Sequence, residues 1–338
     1  MERKVSTIQD VAAMARVSIS TVSRVLNDAG YPMRPDTKQR VQEAIDALSF
    51  RPNPLARGLL GKPTRTIGLI IPDISNPYYP QLSRGVEDVA VDNDYAVIFC
   101  NTDRRMEKLQ SYINVLREKQ ADGVIFTGGG FETGQELGPL EEISDRVVVI
   151  GRHQGPFPSV QVENTRAACD ATFHLVSLGH RRIAFIGGPC GLTSAGDRLR
   201  GYRQAMGEAG IEVNEEFVRE GDFGFESGYQ ETQYLLSRRG EKPTALFAAN
   251  DRMALGAMAA AYDLGSRVPD HLAVVGYDDT LTAQYVRPSL TTVSLPYYDI
   301  GATAARLLLK VLSGETAEAA TWLPTKLVIR QSSGNPIA

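Results

Sequence analysis

The segment from Val17 to Asn27 reads VSISTVSRVLN and surrounds one cation, Arg24, with short hydroxyl and amide side chains. Arginine can bind guanine through two hydrogen bonds, and hydroxyl and amide groups can donate to phosphates or base edges. This combination predicts a surface that contacts DNA, and the alternative is a small helical hairpin with a solvated polar face. The side chains expected on the exposed face are Ile19, Ser20, Ser23, Arg24 and Asn27.

Two helices joined by a tight turn are expected to position that surface. Apolar residues recur at i, i+3 and i+4 from Val22 onward, which predicts an amphipathic helix. The preceding residues, STIQDVAAMAR, predict another helix with Thr7 as its N-cap and Asp10 completing a weak capping box. Ser18 is expected to cap the second helix. The pair then forms a helix-turn-helix.

A third helix and a linker follow this pair. Asp36 is expected to cap the third helix, whose apolar stripe lies between Val41 and Leu48. Residues 51–65 contain three prolines and two glycines, which indicates a linker. Asn53 as an N-cap and Pro54 at the first helical position nevertheless predict about two turns of helix. A helix that short is stable only when it packs against something else.

Charge is distributed unevenly along the 338 residues. Residues 1–62 contain ten Lys and Arg against six Asp and Glu, whereas the remainder contains 26 against 34. A basic head on an acidic body indicates a dedicated nucleic-acid module. Three scattered cysteines indicate a reducing compartment, no signal peptide is recognisable, and no apolar run is long enough to cross a bilayer. These features predict a cytoplasmic protein that does not enter a membrane.

From Thr66 onward the pattern changes to apolar strands that alternate with helices. The first of these strands, TIGLIIPD, is a continuous apolar run, as expected of a strand buried in a parallel sheet. The alternation predicts an α/β body with parallel sheets and helices on both faces, long enough for two lobes. Ligands of such sheets bind beyond the carboxyl ends of the strands. The polar residues expected there are Asp73, Asp103, Arg152, Asn250 and Asp278.

The remaining reactive residues do not form a catalytic or metal-binding set. The glycines at 128–130 lack the spacing of a phosphate-binding loop, so a turn is expected there. The four histidines lack metal-ligand spacing, and there is no G-x-S-x-G nucleophile motif. Asp278 or Asp279 could act as a general base, but a strand-end aspartate can equally bind sugar hydroxyls. The sequence therefore predicts no enzyme activity, no metal and no cofactor.

A series of motifs, read in order, covers nearly the whole chain: TIQDVAAMARVSISTVSRVLN, RPNPLARGL, TIGLIIPDISNPYY, SLGHRRIAFIGGP, AANDRMALGAM, VVGYDD and RPSLTTV. The series resembles the lactose/galactose repressor (LacI/GalR) family of bacterial transcription regulators. The resemblance implies a helix-turn-helix head, a hinge helix and a two-lobed body like a type I periplasmic binding protein. It also implies a homodimer on pseudo-palindromic operator DNA, with an affinity that a small effector in the cleft alters.

The resemblance also implies roles for residues of the head and hinge. Ile19, Ser20 and Arg24 occupy the positions that read bases in the major groove. Leu59 corresponds to the hinge leucine that wedges into the minor groove, where an apolar side chain can kink DNA. The full expected DNA-binding set is Thr7, Ser18, Ile19, Ser20, Thr21, Ser23, Arg24, Asn27, Asn53, Ala56, Arg57 and Leu59.

In the cleft, the resemblance points to carboxylates, an amide and an arginine that suit vicinal hydroxyls, with aromatic faces that suit a sugar ring. Arg152 stands where the family often has Asp, so an anionic or phosphorylated ligand is favoured. The expected effector-binding set is Asp73, Tyr78, Tyr79, Arg152, Ser194, Arg198, Phe223, Asn250 and Asp278.

The resulting prediction is a DNA-binding regulator of carbohydrate-related genes, with a repressor favoured. A sugar-like effector is expected to control its affinity for the operator. The expected domains are residues 1–50 (helix-turn-helix), 51–65 (hinge helix and linker) and 66–338 (effector binding and dimerisation). One alternative is a catabolite-control-type regulator that responds to a phosphocarrier protein instead of a free sugar. A less favoured alternative is a sugar-binding protein or enzyme.

Overall fold

The structure, a computed structural model, describes residues 6–26, 33–50, 63–128 and 134–334. The chain divides between Thr64 and Arg65 into two compact units. Each unit has a hydrophobic core of its own.

The first unit contains three short helices around a small apolar core. Val11, Val22 and Val41, one from each helix, are fully buried at its centre. Arg16, with a φ of 54°, provides the left-handed residue that ends the first helix. The helices are α1 (Ile8–Ala15), α2 (Ile19–Leu26) and α3 (Pro35–Ala47).

The capping box expected at the first helix is confirmed. Thr7 Oγ1 accepts from Asp10 N at 3.3 Å, and Asp10 Oδ2 accepts from Thr7 N at 2.8 Å. Ser18 also acts as expected, because its Oγ accepts from Thr21 N at 3.2 Å. Each hydroxyl satisfies an amide that a helix start leaves without an intrahelical partner.

The expected cap of the third helix is wrong. The helix begins at Pro35 with Arg34 as N-cap, and no side chain makes the capping bond. Proline has the φ angle that a first helical turn requires, so it starts the helix one residue before Asp36. Asp36 instead lies inside the first turn, where its negative charge complements the helix dipole.

The second unit contains two lobes, each built on a six-stranded sheet. The first-lobe sheet is entirely parallel, with strands in the order β11-β5-β4-β3-β1-β2. The strands are β1 (Thr66–Ile71), β2 (Ala96–Asn101), β3 (Gly123–Thr127), β4 (Val147–Ile150), β5 (Ser159–Val162) and β11 (Ala320–Leu323). The helices of this lobe are α4 (Tyr78–Asp92), α5 (Met106–Glu118), α6 (Gly134–Glu141) and α12 (Tyr297–Leu312).

The second-lobe sheet has the order β12-β10-β9-β8-β6-β7, and β12 is antiparallel to its neighbour. Its strands are β6 (Ile183–Gly187), β7 (Val218–Glu220), β8 (Ala245–Ala248), β9 (Ala273–Asp278), β10 (Thr291–Ser294) and β12 (Lys326–Val328). Its helices are α7 (Asn164–Ser177), α8 (Thr193–Glu208), α9 (Phe225–Ser237), α10 (Asp251–Asp263) and α11 (Leu281–Tyr285). The chain crosses between the lobes after β5, after β10 and after β11. The predicted α/β body with parallel sheets is confirmed.

Two glycines bring α4 and α12 into backbone contact in the first lobe. A Cβ at Gly85 would lie 2.1 Å from the carbonyl oxygen of Tyr298, and one at Gly301 would lie 2.0 Å from that of Leu82. No larger residue fits at either position. The close packing fixes the start of α12 beside the start of α4, where the interlobe cleft opens.

Among the described residues, no helix has both the length and the apolar character needed to cross a bilayer.

Candidate DNA-binding face and interlobe cleft

Helix α2 presents the expected polar face to solvent. Ile19 is 46% exposed, and Ser20 and Arg24 are also exposed, whereas Val22 on the opposite side is fully buried. Thr21 and Ser23 are half-buried at the margin of the face. An exposed branched apolar residue beside a serine and an arginine is a surface that can contact base edges and thymine methyl groups.

Three hydroxyls gather at the start of α2. Ser18 Oγ lies 2.7 Å from Ser20 Oγ and 2.8 Å from Thr21 Oγ1. This network holds the hydroxyls at the helix start, where backbone amides and the helix dipole favour an anion such as a phosphate. Thr7 is engaged in its own capping box at the start of α1.

Part of the expected DNA-binding set lies outside the described residues. These positions are Asn27, Asn53, Ala56, Arg57 and Leu59.

In the second unit, a cavity with a volume of about 120 Å³ lies between the lobes, at the carboxyl ends of strands from both sheets. Most of the effector-binding residues expected from the sequence are brought together here. Those lining it are Tyr78, Tyr79, Ser194, Arg198, Phe223, Asn250 and Asp278.

Two tyrosines form part of the first-lobe wall. Tyr78 and Tyr79 begin α4, and their rings meet edge to face with centroids 4.8 Å apart. Tyr297, from the start of α12, meets Tyr78 in the same way at 5.1 Å. Burial raises the pKa of all three phenols, so they remain neutral hydroxyls at physiological pH.

Arg198 on the second-lobe wall is held rigidly from several sides. Its Nε donates to Asn164 Oδ1 at 3.1 Å, and its Nη1 donates to the carbonyl oxygen of Ala249 at 2.5 Å. The guanidinium also lies 3.7 Å from the centroid of the Tyr277 ring, a cation–π contact. The hydroxyl of Tyr277 in turn donates to Asn164 Oδ1 at 3.0 Å.

Asn250 links the cleft to the helix behind it. Its Oδ1 accepts from Met253 N at 2.9 Å as the N-cap of α10, and its Nδ2 donates to the carbonyl oxygen of Phe223 at 2.9 Å. Phe223 has a φ of 67°, in the left-handed region, and that bond helps to hold it there. Gly188 makes room for the ring, because a Cβ at that position would lie 2.0 Å from Phe223 Cζ. Asn250 therefore orients the aromatic wall as well as lining the cavity.

Two buried carboxyls lie on the second-lobe side. Asp251 accepts from Thr280 N at 2.7 Å, Thr280 Oγ1 at 3.1 Å and Thr292 Oγ1 at 2.5 Å. Burial nevertheless raises its pKa above the ordinary value. Burial and the nearby Asp251 also raise the pKa of Asp278, while the positive charge of Arg198 opposes that rise. Asp278 in the cavity can thus donate a hydrogen bond to a ligand hydroxyl when protonated and accept one when ionised.

Asp73 and Arg152, the other expected effector ligands, do not line the cavity and instead bridge the lobes. Asp73 Oδ2 accepts from Nη1 of Arg252 on α10 at 3.2 Å. Arg152 contacts Asp197 of α8 through two hydrogen bonds of 3.0 and 2.6 Å. Each pair joins one lobe to the other, so the two pairs act on the relative position of the lobes.

The cavity residues that sequence reasoning missed include Arg104 and Asn164. Asn164 lies two residues after the end of β5, so the rule that selected other strand-end residues could have found it. The same rule selected Asp103, but the Asp103 carboxylate is engaged by Lys108 and Asn101 at the surface. Its neighbour Arg104 lines the cavity instead. Residue type alone does not show which of two neighbouring residues in a tight turn faces a cavity.

No group of three or more His, Cys, Asp and Glu side chains within the described ranges is arranged to hold a metal ion.

Family models match both parts of the chain. Residues 7–53 match the bacterial regulatory proteins of the lacI family, and residues 172–333 match a periplasmic binding protein-like domain. The first match covers the helix-turn-helix, and the second covers most of the second lobe.

Full-length relatives give the same result. The chain is 41% identical to catabolite control protein A of Priestia megaterium, over 97% of this chain and 99% of the relative. It is 40% identical to the ribose operon repressor of Halalkalibacterium halodurans, over 97% of each. The chain therefore belongs to the LacI family of bacterial transcription regulators, and it is a DNA-binding regulator and not an enzyme.

A solved structure extends the similarity to the fold. The lac repressor dimer bound to operator and the anti-inducer ONPF superimposes with a TM-score of 0.88 at 30% sequence identity, covering 98% of this chain and all of that one. The helix-turn-helix head and two-lobed body expected from the sequence are confirmed.

Proposed function

We propose that this protein is a cytoplasmic, dimeric repressor of carbohydrate-related genes whose affinity for operator DNA is set by a sugar-like effector. The observation that carries the proposal is the interlobe cavity. It combines aromatic faces, a fixed arginine and a buried aspartate, which together suit a hydroxylated ring. The similarity to the ribose operon repressor and to the lac repressor bound to operator supports the same assignment.

The DNA-binding residues are proposed to divide by role. The exposed side chains of Ile19, Ser20 and Arg24 read base edges, and the hydroxyls near the start of α2 hold phosphates. Because the protein is proposed to bind as a homodimer, the operator is a pseudo-palindrome with one half-site for each head. The hinge positions Asn53, Ala56, Arg57 and Leu59 are proposed to contact the minor groove between the half-sites.

Effector control requires that the ligand bind one arrangement of the lobes more tightly than the other. The cavity has walls from both lobes, and Asp73–Arg252 and Arg152–Asp197 join those lobes across it. A ligand that contacts both walls stabilises one arrangement at the expense of others. Coupling of about 1–3 kcal/mol between effector and operator is the size expected of such a mechanism.

Binding-site selection from a random duplex library tests the DNA-binding assignment. Arg24→Ala should weaken binding to the selected site by about 1–3 kcal/mol and relax the base preference at one position per half-site. Arg40→Ala is the matched control, because Arg40 is an α3 arginine paired with Asp36 at the surface. Unchanged base preference in the Arg24 variant would contradict the role proposed for that residue.

The effector assignment is tested by operator binding in the presence of glucose, galactose, ribose, cellobiose and their phosphorylated forms. Fluorescence anisotropy with the selected duplex should show that at least one compound changes operator affinity by roughly five- to 150-fold. Asp278→Ala should remove that response, because it deletes a group of the cavity wall, whereas the exposed control Asp270→Ala should retain it. If no compound changes operator affinity, the sugar-effector proposal is overturned.

A second candidate function is control by a phosphocarrier protein, favoured by the 41% identity to catabolite control protein A over nearly the full chain. Surface plasmon resonance with purified phosphocarrier protein, phosphorylated and unphosphorylated, separates the two candidates. Binding of the phosphorylated form together with an increase in operator affinity would establish this function. Absence of binding by either form, with a response to a free sugar, would establish the first.

A further inference from the structure

Arg104 differs from the other arginines around the cleft because, among the described residues, it has no hydrogen-bond or ion-pair partner. Arg152 pairs with Asp197, Arg252 pairs with Asp73, and Arg198 donates to Asn164 and Ala249. Arg104 lines the cavity but makes no hydrogen bond or ion pair within the part of the chain that the structure describes. Its Nε is fully buried and has no hydrogen-bond partner there.

The backbone around Arg104 is built to hold its side chain in the cleft. Asp103 and Arg104 have φ angles of 50° and 55°, both in the left-handed region. Thr102 N donates to the carbonyl oxygen of Ile71 at 2.9 Å, and Asn101 Nδ2 donates to Asp103 Oδ1 at 2.6 Å. Non-glycine residues hold such angles where the surroundings impose them, and these positions concentrate at ligand sites. The segment that carries Arg104 is thus held in place by hydrogen bonds on its N-terminal side.

Arg104 and Arg198 approach the same aromatic ring from opposite lobes. The guanidinium carbon of each lies 5.9 Å from the centroid of the Phe223 ring, so the two carbons are no farther apart than twice that distance. Both residues line the same cavity. One ligand of sugar size can therefore contact both cations.

The acidic groups near Arg104 do not neutralise it by direct contact. Asp73 is close enough to interact electrostatically, but its carboxylate binds Ser75 and Arg252. Asp222 also lies near, and its carboxylate accepts from Gly224 N at 2.7 Å. Asp278, the carboxyl that lines the cavity, has its pKa raised by burial. The charge of Arg104 thus remains available for an anion.

We propose that the effector is a hydroxylated compound carrying a phosphate or carboxylate group, and that Arg104 binds this anionic group opposite Arg198. The inference rests on the proposed effector function and specifies its ligand class. Guanidinium presents a planar set of donors that matches both anions, which makes it suited to bidentate binding. An anion held between the lobes binds more tightly to the arrangement that brings both arginines close to it. Such a difference in affinity is what allows a ligand to control the DNA-binding head. The anion-binding arginine is thus Arg104 and not Arg152, whose charge is already paired with Asp197.

Isothermal titration of the full-length protein with matched ligands tests the proposal. The pairs are glucose against glucose 6-phosphate and gluconate, and ribose against ribose 5-phosphate, which also distinguish phosphate from carboxylate. At least one anionic member should bind roughly tenfold or more tightly than its neutral parent. Arg104→Gln should remove about that factor and leave the neutral parent within about twofold, whereas Arg104→Lys should restore it only in part.

Arg105→Gln is the matched control, because Arg105 is the next residue, exposed and paired with Glu107 at 3.6 Å. It should bind every ligand as the wild type does. Inorganic phosphate provides a probe that does not depend on the identity of the sugar. In a thermal unfolding assay against equal ionic strength of chloride, phosphate should raise the melting temperature of the wild type and of Arg105→Gln by about 2 °C, but not that of Arg104→Gln.

The possible results distinguish the anion site at Arg104 from the proposed control by a sugar-like effector. A neutral sugar that binds and alters operator affinity equally in the wild type and in Arg104→Gln would overturn the anionic ligand and leave the effector function standing. Phosphate protection that requires Arg104, with no compound altering operator affinity, would support the anion site and overturn the sugar-effector function. Failure of every anionic ligand, inorganic phosphate included, to depend on Arg104 would overturn the inference.

Discussion

Both lobes are built on a six-stranded sheet, but the side chains that line the cleft are held by different interactions in each lobe. The second-lobe wall includes polar side chains that are bonded to each other and to the backbone, as for Arg198 and Asn250, and the buried Asp251 next to Asn250 is bonded in the same way. On the first-lobe wall, Tyr78 and Tyr79 are in aromatic contact, and Arg104 has no hydrogen-bond partner among the described residues. These second-lobe groups are therefore held in place before a ligand arrives, whereas Arg104 on the first lobe offers donors that a ligand can bind.

This difference has a consequence for stability and for binding. A polar group that is fully bonded inside the protein costs free energy of unfolding when it is removed, because its buried partners lose their bonds. A polar group without such bonds contributes little to stability and can contribute more to ligand affinity. Substitutions of the fully bonded groups on the second-lobe side should therefore mainly affect stability, whereas substitution of Arg104 on the first-lobe wall should mainly affect ligand selection.

The largest effect is expected at Asp251. Asp251→Ala would leave the Thr280 amide and the hydroxyls of Thr280 and Thr292 without their buried acceptor. The free energy of unfolding should fall by about 3–5 kcal/mol, the range typical of a broken buried polar network. Urea denaturation followed by circular dichroism measures the change.

Two matched variants make that test specific to the comparison between lobes. Asp270→Ala removes an exposed aspartate and should change the free energy of unfolding by no more than about 0.5 kcal/mol. Arg104→Gln, on the first-lobe wall, should also stay within about 0.5 kcal/mol. If Arg104→Gln destabilises the protein as much as Asp251→Ala does, the two walls are not supported differently.

The fold and much of the cleft could be predicted from the sequence because both depend on local patterns, which can be recognised without knowing which segments come together in the fold. Continuous apolar runs identify the strands, and polar residues at their ends identify the second-lobe wall at Asn250 and Asp278. The expected cap at Asp36 was wrong because the local rule for capping residues competes with the rule for proline at a helix start. Both rules apply to neighbouring residues, and the structure follows the proline.

The partners of charged side chains could not be predicted, because pairing depends on which segments the fold brings together. Arg152 lies at a strand end as expected, but its pairing with Asp197 links residues from opposite lobes. The position of the Arg104 side chain in the cavity cannot be predicted from the sequence, because it depends on two consecutive left-handed residues. Only a few per cent of non-glycine residues adopt that conformation, and although Asp is enriched among them, no residue type in the segment requires it.

An intermediate effect is expected in the pH dependence of stability at Asp278. Burial raises the pKa of this carboxyl in the folded protein, whereas in the unfolded chain it titrates near its ordinary value of about 3.9. Above that value the folded state binds more protons than the unfolded state, so the free energy of unfolding falls as the pH rises until the folded carboxyl ionises. The slope for one proton is at most about 1.4 kcal/mol per pH unit.

Asp278→Asn removes this titration and should flatten the profile. Urea denaturation of both proteins between pH 5 and pH 8 should show the variant gaining stability relative to the wild type as the pH rises. Asp279→Asn is a poor control because Asp279 pairs with Arg330 at 2.6 Å, so exposed Asp270→Asn is the appropriate one. A parallel pair of profiles for the wild type and Asp278→Asn would show that this carboxyl does not titrate differently in the folded state.

The smallest effect on stability is expected from the interlobe pair of Arg152 and Asp197. The Arg152 side chain is 45% exposed, and the Asp197 carboxylate also contacts Arg200, so removal of Arg152 leaves the carboxylate with a cation. Arg152→Gln should therefore lower the free energy of unfolding by less than about 1 kcal/mol.

Solvent ions screen such a pair, so the loss should shrink further when the salt concentration rises from about 0.05 to 1 M. Urea denaturation at the two salt concentrations measures it, and Arg166→Gln, which removes an exposed pair within α7, is the control. A loss above about 2 kcal/mol that persists in high salt would contradict this prediction and would mean that the lobes depend on this bridge for folding.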